Sequence, residues 1–199
     1  MKKLYLLIYL LAAQLVFAQS GPTEGARLDQ MLYMRGDTHI QLNLGMFFPL
    51  FAGGFNFQNI SALTLNPGFN IGANVDVHLD NNLKMGGGIV FLTAQGINAV
   101  QANFITLNFR TIYEFHVFGW SFPVGGSAGI QIGSYGESFA INPILRPEAG
   151  VFYSFNRQWS IGATAAWGIT FEPVFNNMNR SRIGNMFEVM LSGRYYFEQ

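Results

Sequence analysis

Between Phe69 and Leu79 the apolar residues take every second place: Phe69, Ile71, Ala73, Val75, Val77 and Leu79. The residues between them are Asn70, Gly72, Asn74, Asp76 and His78. A period of two puts one row on each face of a β-strand. The same alternation recurs along the chain and predicts eight strands: His39–Phe48, Leu63–Leu79, Leu83–Thr93, Asn103–Val117, Ser121–Ile132, Ile144–Phe155, Trp159–Phe171 and Met186–Phe197. Their connections alternate in length. Tight turns are expected at Asp80-Asn81-Asn82, Phe118-Gly119-Trp120 and Asn156-Arg157-Gln158. Longer loops are expected at Pro49–Ala62, Ala94–Ala102, Gly133–Pro143 and Glu172–Asn185. An even strand count with short turns at one end and long loops at the other predicts an all-β fold, an eight-stranded antiparallel transmembrane β-barrel. Its turns would be periplasmic and its longer loops extracellular.

A soluble barrel of the lipocalin kind alternates as well, but with its apolar row inside. The residues of the polar row separate the two. Asp76, Lys84, Arg110, Glu114, Arg146, Glu148, Glu188 and Arg194 all fall in it, as do His39, His78 and His116. The rest of that row is Gly, Ser, Thr, Asn and Ala, too poor in Lys and Glu for a water-exposed exterior. Small polar residues with a few mutually compensating charges suit a narrow interior instead. Aromatic residues gather toward the strand ends: Phe115, Trp120, Phe122, Tyr153, Phe155, Trp159, Tyr195 and Phe197 near the turns, and Phe48, Phe91, Trp167, Phe171 and Phe187 near the loops. Two such girdles mark the rims of a lipid-facing band. With the apolar row on lipid, every backbone polar group in the bilayer must pair, so the first strand must close on the eighth.

Composition agrees. The 199-residue chain is 50% hydrophobic, 16% aromatic and only 11% charged, against roughly 25% charged in ordinary soluble domains. Its net charge is zero, which removes any electrostatic case for nucleic acid. It has no cysteine, hence no disulfide framework or thiolate site. Lys2 and Lys3, the apolar run Leu4–Phe17 and the small-x-Ala pattern Val16-Phe17-Ala18 read as a secretory signal peptide over 1–18. Residues 19–38 read as a polar periplasmic lead-in, with one helical turn around Leu28–Met34, and 39–199 as the barrel.

If odd strands run outward from a periplasmic N-terminus, the lumen divides. Asp76, His78, Lys84, Arg110, Glu114, His116 and Arg194, with His39, form a polar plug at the periplasmic end. Phe47, Val90, Leu92, Phe104, Met186 and Met190 line an apolar outer end. Desolvation penalises any unpaired interior charge, so Arg110, Glu114, Arg146, Glu148 and Arg194 are expected to form ion pairs. His78 and His116 are expected to hydrogen-bond a neighbour such as Asp76 or Glu114 rather than to hold a metal. No histidine lies in the four long loops, so a catalytic centre at the outer rim is not expected, nor is a cofactor. Arg180 and Arg182 are candidates for anionic headgroups such as those of lipopolysaccharide.

The C-terminal stretch VMLSGRYYFEQ puts Gly193, Tyr195 and Phe197 in one alternating row with Val189 and Leu191. It resembles the terminal β-signal read by the barrel-assembly machinery, although Glu198 and Gln199 follow the final aromatic residue. The layout as a whole resembles the small eight-stranded outer-membrane barrels: the OmpW and OmpX families and the OmpA membrane domain. OmpW-like proteins are slightly preferred. That resemblance implies residence in the outer membrane of a diderm bacterium, in contact with its lipid. Its OmpW side implies a narrow channel or binding barrel for small hydrophobic solutes. Its OmpX and OmpA side implies a closed structural or adhesion barrel acting through surface loops.

Overall fold

A computed structural model describes residues 35–54, 61–62, 65–96, 99–136, 138–156, 158–172 and 181–197. The proposed signal peptide, most of the lead-in with its helical turn, Arg157, Arg180, the last two residues and parts of all four expected long loops lie outside them. The described strands are β1 (Thr38–Gly54), β2 (Ser61–Ala62), β3 (Gly68–His78), β4 (Leu83–Gln95), β5 (Gln101–Val117), β6 (Trp120–Tyr135), β7 (Ser138–Ser154), β8 (Trp159–Glu172) and β9 (Arg182–Tyr196). Each of the long strands pairs antiparallel with its neighbour, and β9 returns to pair with β1, closing an eight-stranded barrel; β2 is a two-residue stub on β1.

Closure is staggered. From Gln41 the paired partners run Asn74, Gly88, Asn108, Gly129, Ile144, Thr170 and Gly184, and the path regains β1 at Ala52 instead of Gln41. Such a shear tilts strands by roughly 35–45° to the barrel axis. A bulge between Pro49 and Phe51 contributes one residue to the stagger, at a place where proline has no N–H to give the ladder.

The turn end is built from local chemistry. Phe118 and Gly119 both have positive φ, 47° and 78°, the requirement of a two-residue type I′ hairpin. At the β7–β8 turn the Asn156 side-chain oxygen accepts from the backbone N–H of Gln158 and of Trp159, both at 2.8 Å. The loop end departs from expectation. Gly133–Pro143 is not a long loop: β6 continues to Tyr135 and β7 begins at Ser138. Gly136, at φ 57°, supplies the left-handed backbone of a tight turn, and Gly and Ser residues in Gly133–Ser138 had masked the alternation on either side. Likewise β4 and β5 extend to Gln95 and Gln101, and β1 runs on to Gly54.

The outward row is exposed and apolar all round, with Leu44 at 63%, Ile71 at 57% and Leu191 at 70%. A belt of that size on a protein surface needs lipid beside it. Outward amides near the loop end are paired: Asn185 accepts a hydrogen bond from the Trp167 indole at 3.2 Å, and Asn103 accepts one from the Thr93 hydroxyl at 2.9 Å. Inside, several large side chains lie over glycines of the neighbouring strand. A Cβ on Gly68 would strike the Phe47 ring, one on Gly133 would come within 2.7 Å of the Phe104 ring, and one on Gly168 within 2.7 Å of Met186. A ring laid over a glycine restores the packing that the missing side chain leaves open. These three glycines therefore make room for residues that fill the lumen.

Candidate functional site

The turn-end half of the lumen is a set of enclosed ion pairs. Glu114, at the end of β5, meets two cations: Lys84 Nζ from β4 at 2.6 Å and the Arg194 guanidinium from β9. Arg194 also donates to the Gln41 amide oxygen at 3.0 Å and stacks 3.3 Å over the Phe152 ring. One row on, Arg110 lies between Asp76, at 3.6 Å, and Glu148, at 2.9 Å. His39 Nε2 approaches the other Asp76 oxygen at 3.2 Å. Above these, Arg146 grips Glu188 through two parallel bonds of 2.9 and 3.0 Å, and Asn70 donates to the same carboxylate at 2.8 Å. Four cations thus face four carboxylates, all but unexposed. The arrangement follows from the cost of desolvation, since a buried charge survives only with a partner and hydrogen bonds. Ladder register brings the partners together: His39 faces Asp76, and Gln41 faces Arg194, on adjoining strands.

Some sequence expectations change here. His39, not His78, is the histidine beside Asp76; His78 Nδ1 lies 3.2 Å from the Asp37 carbonyl oxygen. His39, His78 and Tyr196 form a ring cluster at the turn end, with His39 5.5 Å from His78 and 4.8 Å from Tyr196. His116 sits on β5 beyond Glu114, at the same end and half-buried. No group of three metal-ligating side chains occurs among the described residues.

Toward the loop end the chemistry reverses. Phe47, Val90, Leu92, Ala94 and Met186 form one buried apolar cluster, and Phe104 packs against it. Met190, expected in this lining, is buried but lies apart from the cluster. Glu188, with its Arg146 clamp, stands between Met186 and Met190 on the inward row of β9. The apolar zone is therefore shorter than the sequence implied. Above it is a partly open cavity of about 280 Å³. Phe47, Phe104 and Met186 form its floor, and Gln131, Asn142 and Thr170 its polar wall. Glu172 and Arg182, paired in register, stand at its rim, and Leu65 and Tyr135 at its mouth. Gln131 is held in place by Thr170, whose hydroxyl donates to it at 3.1 Å.

Sequence reasoning missed the wall and mouth residues. Tyr135 and Asn142 lay inside the supposed loop Gly133–Pro143, and Gln131 belongs to a polar row that has no distinguishing motif. The one available signal was the alternation Gly129, Gln131, Gly133, Tyr135 continuing past Ile132. Gly193, Tyr195 and Phe197 lie on the outward side at the end of β9, where Tyr195 packs against Trp159 at 4.9 Å and against Phe197 at 5.3 Å.

Comparison with known proteins places this architecture. A protein-family model matches residues 20–195, and the chain is a member of that family. Neisserial surface protein A aligns with a TM-score of 0.61 over 80% of this chain and 97% of its own, at 14% identity. The outer membrane protein OprG of Pseudomonas aeruginosa aligns with a TM-score of 0.55 over 84% and 98%, at 9% identity. The fold of this chain is that of the small eight-stranded outer-membrane β-barrels. At those identities the likeness is one of fold. In sequence, the barrel is 26% identical over 132 residues to an uncharacterized protein of Treponema pallidum (strain Nichols). That match takes in 65% of this chain and 58% of the relative's length.

Proposed function

We propose that this barrel sits in the outer membrane of a diderm bacterium as a binding barrel for small, mostly apolar solutes. Its loop end faces outward and its turn end faces the periplasm. The observation that carries this reading is the cavity of about 280 Å³ with an aromatic and thioether floor and a few polar wall groups. Ligand sites combine a largely apolar lining with a small number of placed polar groups, and usually span roughly 300–1,000 Å³. A cavity at the lower edge of that range suits a molecule of one or two rings or a short acyl chain. Below the floor the lumen is occupied by the paired charges, so the reading is of a blind vestibule and not of an open pore. An eight-stranded barrel has room inside for side chains and little else. The alternative, a closed barrel that works through its loops, has less loop to work with than the sequence suggested, since β6 and β7 are joined by a tight turn.

Purified barrel in detergent micelles should bind 1-naphthylamine saturably, seen as a rise in fluorophore emission with energy transfer from the tryptophans. The same preparation in planar bilayers should show no steady conductance. Steady ion conductance without saturable naphthylamine binding would overturn the proposal.

A further inference from the structure

The mouth of the vestibule is narrowed by three segments that meet on one glycine. Leu65, on the approach to β3, forms an isolated antiparallel bridge with Gly96, just past the end of β4. The adjoining backbone is tied on both sides: the Asn66 N–H donates to the Gln95 carbonyl, and the Gly96 N–H to the Val100 carbonyl, both at 2.8 Å. The third segment is the tip of β6. Tyr135 belongs to the inward row, faces Ala102 across the β5–β6 ladder, and reaches over that small residue to Gly96. A Cβ on Gly96 would lie 2.6 Å from both the Tyr135 hydroxyl oxygen and its Cε2. Only a hydrogen atom at position 96 leaves the ring its seat.

We infer that Tyr135, seated on Gly96 and flanked by Leu65, is the residue that sets the size of solute the vestibule admits. The inference rests on the binding-barrel reading. The ring is 39% exposed and hangs from a hairpin whose turn residue, Gly136, has a φ of 57°. Its backbone is fixed by the β5–β6 ladder, so the phenol moves chiefly by rotating about its own side-chain bonds. Seated on Gly96, it covers the β4–β5 side of the mouth. Unseated, it leaves that side open above the Phe104 floor. The phenol face then selects flat, apolar solutes that can pass between it and Leu65, and bulkier ones are excluded by shape.

The test compares 1-naphthylamine with a pyrene fluorophore on four proteins: the parent chain, Tyr135→Ala, Gly96→Ala and Tyr135→Phe. Each is first checked for the heat-modifiable gel mobility of a folded barrel. Tyr135→Ala removes the ring, and Gly96→Ala takes away its seat. Both should raise pyrene affinity relative to naphthylamine about tenfold or more, the scale of one added methylene in an apolar pocket. Tyr135→Phe keeps the ring and should match the parent. Pyrene binding confined to Tyr135→Ala and Gly96→Ala would support the assignment in its strongest form. An unchanged pyrene-to-naphthylamine ratio in both alanine variants, with naphthylamine still bound, would overturn it while leaving the binding-barrel reading intact. Failure of all four proteins to bind either fluorophore would overturn both.

Discussion

The two halves of the lumen are built on the same eight strands and the same inward alternation, yet they fill their space by opposite means. In the turn-end half most large inward groups are charged or hydrogen-bonded, with Ile112 and Phe152 as the apolar exceptions, and each carboxylate is matched by a cation. In the loop-end half the inward row turns to Phe47, Val90, Leu92, Phe104 and Met186, and packing stops at a cavity. Paired charges hold the lower half shut because separating them inside a low-dielectric lumen is costly. Dispersion contacts over a cavity carry no such penalty, so the upper half can receive a guest. On the proposed reading, one barrel thus has a sealed end and a receptive end, with the boundary at the Arg146–Glu188 clamp.

Three substitutions test that contrast. The largest effect is expected from Glu114→Ala, which strands Lys84 and Arg194 in the sealed half without their shared carboxylate. Breaking a buried pair costs about 3–5 kcal/mol, to be read as a lower urea midpoint by tryptophan fluorescence in micelles. A loss within ~0.5 kcal/mol would show that water already reaches these charges and that the turn end is not sealed. Next is Gly133→Val beside the cavity floor in the receptive half. Its side chain would collide with the Phe104 ring, an overpacking worth about 1–3 kcal/mol. By pushing that ring upward it should also weaken naphthylamine binding, and titration of the variant checks this. The smallest effect is expected from Glu172→Ala, the same change of residue type as in the first case but at the exposed rim beside Arg182. There solvent screens the charge, and unfolding should shift by no more than ~0.5 kcal/mol. A cost for Glu172→Ala equal to that for Glu114→Ala would erase the distinction between the two ends.

Much of this barrel could be read from alternation alone. The inward or outward side of Asp76, Lys84, Arg110, Glu114 and Arg194 follows from parity within each strand, because successive side chains point to opposite faces. Closure follows from the lipid-facing row, which tolerates no unpaired strand edge. The third loop did not follow. Around Gly136 the residues Gly133, Ser134 and Ser138 carry too little hydrophobic contrast to display their period, and the Tyr135 rim was lost with it. The place of Met190 did not follow either, since nothing local to β9 reports how far the Arg146 side chain of β7 reaches across the lumen.

What the sequence determined by itself was therefore the set of strands, the side each residue takes and the balance of interior charge. These are local properties of a chain whose side chains alternate. Which inward residues meet was decided only by the tertiary structure. The stagger that returns Gln41's path to Ala52 sets every strand's height against the others. That stagger is a sum over all eight ladders, so no single stretch of sequence carries it. It placed Arg194 on Glu114, Arg146 on Glu188 and Tyr135 on Gly96, contacts between strands that are not ladder neighbours, and it left the cavity above the ion pairs.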